Sequence, residues 1–336
     1  MIRIAVDGMG GDFAPGEIVK GAQSVSREGL AHIVLVGDEP AMKPFIADPV
    51  NMEIVHAPVC VEMKESPSNA LRKKKDSSVN RAFELHRRGD VQAVVSAGNS
   101  GAVMAFAIFT LGRVPGVDRP AIATLNPRMG GGTSVLLDAG GNVDCKPAHL
   151  VQFALMGNAF ASSVLGMASP RVGLLSNGEE ETKGNELTRE VHGYLKSLDM
   201  NYVGYAEGTD MYNRKVDVMV CDGFVGNIAL KISEGVAEFI FDFFKEKFKK
   251  NLKNKIAYLL MKKMFAEFYK RTDYSETGGA PLLGVDGVCI ICHGKSTAKA
   301  MRNAILLAKD FVEKGLRESV KNTMKDYQSL LKAKEI

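Results

Sequence analysis

Cysteine is scarce in this sequence: five residues among 336, odd in number and scattered, fit a reducing compartment rather than a disulfide framework. Strong charge of one sign is missing too. The balance of 43 Lys and Arg against 39 Asp and Glu leaves +4, too weak a field to argue for nucleic acid. Tryptophan is absent and aromatics make up 7%, yet 46% hydrophobic and 24% charged residues are ordinary for a soluble globular protein, and nothing suggests disorder. Uncharged stretches occur at 91–112 and 147–170, but Asn, Gln, Ser and Gly interrupt both, so they read as buried helices rather than membrane spans. The opening Met1 to Asp7 reads as a strand running into an acidic turn, without the pattern of a secretory leader. The expectation is a cytoplasmic protein.

Such a length predicts one large domain over 1–336 or two lobes. Short β-branched runs alternate with helical patterns at 2–6, 32–36, 52–56, 93–96, 121–126, 171–175, 216–221 and 285–293. That rhythm predicts a three-layer α/β/α sandwich with a mostly parallel sheet, to which 133–138 adds an antiparallel strand. Most strands end in small, polar, Gly-rich loops: 7–12, 96–101, 176–178, 222–227 and 293–296. In an open parallel sheet these converge on one edge, where ligands bind. One segment breaks the rhythm. From 233 to 272 the chain reads as long helix, apolar and basic together, with a hairpin turn near 251–254.

Each motif has a bland competitor. Gly8 to Phe13 follows a strand, but Phe13 stands where a dinucleotide fingerprint needs Gly or Ala, and Asp12 would repel a pyrophosphate. A tight turn competes with ligand roles for Asp7, Gly10 and Asp12. Gly294-Lys295-Ser296-Thr297 ends like a phosphate loop without its first Gly, leaving a helix N-terminus with Ser296 as cap and an attraction for anions. Cys289 and Cys292 lie inside an apolar strand and read as buried; Cys145, with His149 four residues on, is a minor nucleophile candidate. His293 ends a strand where chemistry or structure could use it. The richest loop is Ser176 to Asn185, with three carboxylates, Lys183, two Asn and two Gly after a buried strand. Asn227 follows a similar loop beginning at Asp222, its competitor role being an N-cap.

Taken together, Ala5 to Asp12, Ala70 to Ser78, Ala97 to Ala102, Gly112 to Pro120, Asn142 to Pro147, Lys183 to Glu186, Asp222 to Lys231 and Asp273 to Glu276 resemble the bacterial phosphate acyltransferases of phospholipid synthesis. The resemblance spans nearly the whole chain. It implies the fold of the isocitrate and isopropylmalate dehydrogenases, with the 233–272 hairpin protruding, a homodimer, and no cofactor or metal. It implies transfer of a fatty acyl group from acyl carrier protein to inorganic phosphate. Lys183 and Asn227 match catalytic positions, while Asp7, Gly10, Asn99, Ser100, Gly101, Asn185, Asp222, His293 and Ser296 are candidates for binding substrate or phosphate. Lys295 departs from the small hydroxylated residues usual after the His-Gly.

The basic run Arg72 to Lys75 suits an acidic carrier, and the hairpin at 239–269 suits a membrane surface, a membrane acyltransferase or a dimer contact. Two other classes compete: an NAD-dependent dehydrogenase on the same fold, opposed by the failed fingerprint, and a non-catalytic docking protein, opposed by the cluster of small-residue loops.

Overall fold

The computed structural model describes residues 1–333. Eleven strands form one continuous sheet: β1 (Arg3–Asp7), β2 (His32–Gly37), β3 (Met52–His56), β4 (Ala93–Ser96), β5 (Ala121–Pro127), β6 (Thr133–Leu137), β7 (Val172–Leu175), β8 (Tyr202–Ala206), β9 (Val218–Val220), β10 (Ala280–Leu283) and β11 (Cys289–Ile291). The helices are α1 (Gly16–Arg27), α2 (Glu39–Met42), α3 (Pro67–Lys73), α4 (Ser78–Arg87), α5 (Ser100–Leu111), α6 (Pro147–Ser163) and α7 (Glu186–Lys196). There follow α8 (Asp210–Asn213), α9 (Gly223–Lys249), α10 (Leu252–Thr272), α11 (Tyr274–Thr277), α12 (Ala298–Glu313) and α13 (Leu316–Ala333).

Strand order is β3-β2-β1-β4-β11-β10-β5-β6-β9-β7-β8. The first five are mutually parallel, as are the last four, but β10 and β5 between them pair antiparallel to each other and to their outer neighbours. The two parallel blocks therefore run in opposite senses. This corrects the expectation of a single loop-bearing edge. Register brings the two edges together all the same: Ile291, ending β11, pairs with Ala280, while Leu137, ending β6, pairs with Ala123 and is level with Val220. With β10 so short, the carboxyl ends of both blocks meet at this waist.

Burial on both faces explains the unbroken apolar strands. In β1, Ile4 and Val6 enter the core under α1 and α12, while Ala5 enters the opposite core with Phe83 of α4 and Phe106 of α5. Over the second block, α6, α7 and α13 cover one face; the other carries a small cluster of Leu136, Met211, Val216, Met219 and Cys221. The chain crosses the waist three times, out through β5, back through β10 and out again between α12 and α13, so no boundary between lobes is written in the sequence.

The hairpin forms where expected, as α9 and α10 turning at Lys250 and Asn251. Its two helices hold each other through Phe244 and Phe248 on Phe265, at centroid distances of 5.1 and 4.9 Å. Beyond Glu234 it protrudes, leaving Phe239, Leu259, Leu260 and Met264 exposed. No described helix is long and apolar enough to cross a membrane.

Candidate active site

Two recesses of ≈ 480 Å³ each flank the start of α9. Asp222 caps that helix, its Oδ1 accepting from Val225 N at 2.8 Å. The helix thus opens at Gly223, and Asn227 lies in its second turn, which removes the N-cap reading of Asn227.

The waist recess lies between the blocks. Asn227, Gly140 and Lys231 line one side, Asp12, Ser100, His293 and Lys295 the other, with the face of β5 as floor. Gly140 has φ +133°, and a Cβ there would stand 3.4 Å from Asn227, so the loop after β6 passes near that side chain. Asp138 shapes this loop. Its Oδ1 accepts from Ile122 N (2.9 Å), Gly140 N (3.3 Å) and Gly141 N (3.0 Å), and its Oδ2 from Asn142 N (2.7 Å) and Asn142 Nδ2 (2.8 Å). Burial pushes the Asp138 carboxyl up from its ordinary value, against those hydrogen bonds. Sequence reasoning passed over Asp138 and Asn142, although Asp-Ala-Gly-Gly-Asn after a strand is the composition of a side-chain-stabilised turn.

On the first block, Asp7 is buried and takes hydroxyl donors from Ser78 and Ser96, each at 2.7 Å, besides Met9 N at 3.3 Å. Burial raises its carboxyl too. With both oxygens already engaged, Asp7 supports the loops rather than meeting a ligand. Ser96 passes the support on, accepting from Gly98 N at 3.1 Å. Gly10 packs against Gly98: a Cβ on Gly10 would stand 2.7 Å from Gly98 N. Asn99 caps α5, accepting from Ala102 N (3.0 Å) and donating to the carbonyls of Met63 (2.9 Å) and Glu65 (2.8 Å). Gly101 is held close to Pro67. Of this group Ser100 faces the recess.

The anion reading of the α12 N-terminus fails. Thr297, not Ser296, is the cap. Glu17 Oε2 already accepts from Ala298 N at 2.8 Å, which holds the Glu17 carboxyl below its ordinary range. Ser296 is fully buried, its hydroxyl donating to the His293 carbonyl at 2.6 Å. His293 Nδ1 in turn accepts from Lys295 N at 3.1 Å.

The second recess lies beyond α9's first turn, between Ser176, Asn177, Gly184 and Asn185 on one side and Cys221, Asp222 and Val225 on the other. Asn177 Oδ1 accepts from Gly184 N at 2.9 Å, closing the loop that carries Lys183. Asn185 caps α7 in a reciprocal pair with Thr188, both bonds at 2.9 Å. The three glutamates now have an account. Glu179 pairs with Lys215 and Glu181 with Lys196, tethering the loop on two sides, while Glu180 stands 4.0 Å from Lys183 Nζ. Lys183 is 43% exposed, so that contact is loose.

The nucleophile candidate Cys145 donates to the Asn142 carbonyl at 3.4 Å, and burial, then Asp138, pushes its thiol up to about 12. His149 is turned away, its Nδ1 accepting from Lys146 N at 3.1 Å. Among the described residues no group of three or more His, Cys, Asp or Glu side chains could hold a metal ion.

A family model described as Fatty acid synthesis protein matches residues 2–319. A phosphate acyltransferase of Geotalea daltonii is 52% identical over 321 residues, covering 94% of this chain and 92% of that protein. One of Pelotomaculum thermopropionicum is 50% identical over 330 residues, covering 97% and 96%. Among solved structures, a phosphotransacetylase from Streptococcus pyogenes matches with TM-score 0.63 at 14% identity over 93% of this chain and 94% of that one. A 4-hydroxythreonine-4-phosphate dehydrogenase from Klebsiella pneumoniae matches with TM-score 0.56 at 12% identity, over 93% and 99%. At such identities these structures speak to the fold alone, and the fold is the expected α/β sandwich.

Proposed function

The chain belongs to the phosphate acyltransferase family of lipid synthesis, and from that premise we propose that it moves a fatty acyl group from acyl-acyl carrier protein directly to inorganic phosphate. A phosphate oxygen attacks the thioester carbonyl carbon, the C–S bond breaks, and the carrier leaves as thiolate and takes up a proton. Acyl phosphate and free carrier thiol result. The observation that carries this reading is Asn227, which lies beside Gly140 in a recess shared by the carboxyl ends of both blocks.

The chemistry needs two things. An oxyanion forms on the former carbonyl, and a donor held before the reaction stabilises it more than water could; we assign that role to Asn227. Phosphate must also be drawn to the carbonyl and held in line. Lys183, whose one carboxylate contact among the described residues is the loose one to Glu180, supplies positive potential, and the first turn of α5 at Ser100 and Gly101 offers backbone donors. Asn185 and Asp222 shape the second recess beside Lys183.

The finer assignments rest on surfaces. The exposed cations Arg72, Lys73 and Lys75 suit an acidic carrier, while Lys74 is turned inward onto Glu65 at 2.6 Å. The hairpin's apolar face, with a groove of ≈ 990 Å³, is of the kind a second copy covers, giving a homodimer. Lys245, Lys249, Lys255 and Lys262 around that groove suit peripheral contact with the inner face of the cytoplasmic membrane.

Incubation with acyl-acyl carrier protein and phosphate, followed by hydroxylamine trapping, should yield acyl hydroxamate only when phosphate is present. Phosphate-independent loss of the thioester, or none at all, would overturn the reading.

A further inference from the structure

The floor of the waist recess departs from what its place in the fold demands. β5 is a central strand, where apolar residues are expected on both faces. On one face Ala121 and Ala123 obey. On the other, Ile122 is followed by Thr124 and Asn126, all three lining the recess. Asn126 is 6% exposed. Its Nδ2 and the Thr124 Oγ1 are buried without a hydrogen-bond partner among the described residues. A buried donor or hydroxyl left without a partner is destabilising, so a molecule that supplies acceptors to both gains binding free energy from them.

The surroundings narrow what that molecule is. Leu125, Leu230 and Ile291 contribute apolar wall. Of the lysines on the recess, Lys231 is already paired with Glu234 at 2.7 Å and Lys295 lines the side opposite Asn227, while Asp12 adds a carboxylate to the rim. A phosphate seated on Thr124 and Asn126 would want cations aimed at it, and this part of the recess offers two neutral groups instead. An uncharged chain in which methylene groups alternate with amides fits better, since amide oxygens accept from Asn126 and Thr124 while the methylenes meet the wall.

We propose that Thr124 and Asn126 form the binding subsite for the amide-bearing pantetheine arm of the acyl thioester donor. The assignment rests on the thioester reading above, but its test can be separated from it. Pantetheine alone, with no acyl group, is titrated calorimetrically into the wild-type protein and into Thr124→Val and Asn126→Leu. The wild type should bind it, and each variant should bind roughly tenfold more weakly. In turnover, each variant should raise KM for acyl-acyl carrier protein by a similar factor while KM for phosphate stays within about twofold. Melting temperatures should hold or rise, because both changes remove an unpaired buried polar group. The proposal is overturned by absent pantetheine binding in the wild type, by a raised KM for phosphate, or by lowered melting temperatures, which would make the pair structural. Failure of the hydroxylamine trap with pantetheine binding intact would sink the reaction and spare the subsite.

Discussion

Gly226 lies directly against the backbone carbonyl of Asp138, and a methyl group placed on Gly226 would overlap that oxygen. Gly223, three residues earlier, packs on Asn142, where an added Cβ would stand 2.7 Å from the carbonyl oxygen. The start of α9, which carries Asn227 in its second turn, is thereby pressed onto the loop after β6. Gly226→Ala must push the helix or the loop aside, and overpacking of this kind costs roughly 1–3 kcal/mol. The expected outcome is a lower melting temperature together with a fall in kcat beyond what the unfolded fraction explains. A variant with wild-type kcat would mean that this contact does not position the site.

Lys183→Ala and Asn227→Ala separate two kinds of help. Loss of a pre-aimed oxyanion donor costs about 10²- to 10³-fold in kcat, and Asn227→Ala should show that with KM little changed. On the proposed role of Lys183 in drawing phosphate to the site, Lys183→Ala should act chiefly on KM for phosphate and weaken the dependence of rate on salt. Near-normal rates in both variants would refute the assignment.

Much of the fold was legible because parallel strands buried on both faces, such as 93–96, are apolar throughout. What escaped was β10, four residues after Gly278 and Gly279 and containing Pro281, and with it the reversal of strand sense at the waist. Strand β8 escaped as well, interrupted by Gly204 at φ +97°. In the site, Asn227 and the Ser176 to Asn185 loop were visible as residue types in suggestive places. Asp7 was visible too, but a buried polar group belongs to a ligand or to the fold according to its partners, and those of Asp7, Ser78 and Ser96, lie far off in sequence. Thr124 and Asn126 went unnoticed because two polar residues in a strand read as an exposed face until the strand is known to be central.

The hairpin prediction concerns association. Phe239 and Leu260 are 70% and 83% exposed on a protrusion whose own interior is already filled by Phe244, Phe248 and Phe265. Replacing both by Glu should leave the melting temperature within a few degrees yet shift the sedimenting species from dimer to monomer. A dimer that survives would place the protomer contact elsewhere.

None of the cysteines should be needed for chemistry. Burial pushes Cys60 up to about 11 and Cys145 and Cys292 to about 12, so thiolate is scarce at neutral pH. Cys145→Ser should retain most activity, and iodoacetamide at pH 7.5 should inactivate slowly. Rapid inactivation that tracks labelling of Cys145 would revive a covalent route.

The last prediction concerns acid stability. Asp217 opens β9 between two arginines: Arg171 donates to Oδ2 from N and Nε, both at 2.9 Å, and Arg128 donates to Oδ1. Burial alone would raise this carboxyl, but the arginines outweigh it and hold it at about 2, against an ordinary 3.8. A depressed folded value means stability that is present above about pH 4 and lost as the pH falls toward 2, amounting to roughly 2 kcal/mol. Asp7 and Asp138 carry the opposite sign. Their raised values make the charged form costly in the fold, so protonating them on acidification removes a penalty instead of adding one. Glu17, Asp210 and Asp273 are also held low and share the sign of Asp217, so the acid limb should draw on all four, with Asp217 contributing the part that its variant removes. Asp217→Asn should unfold more readily at pH 7, and the gap between variant and wild type in urea midpoint should narrow between pH 4 and pH 2.5. A gap that stayed constant across that range would show that the arginines do not set the charge state of Asp217.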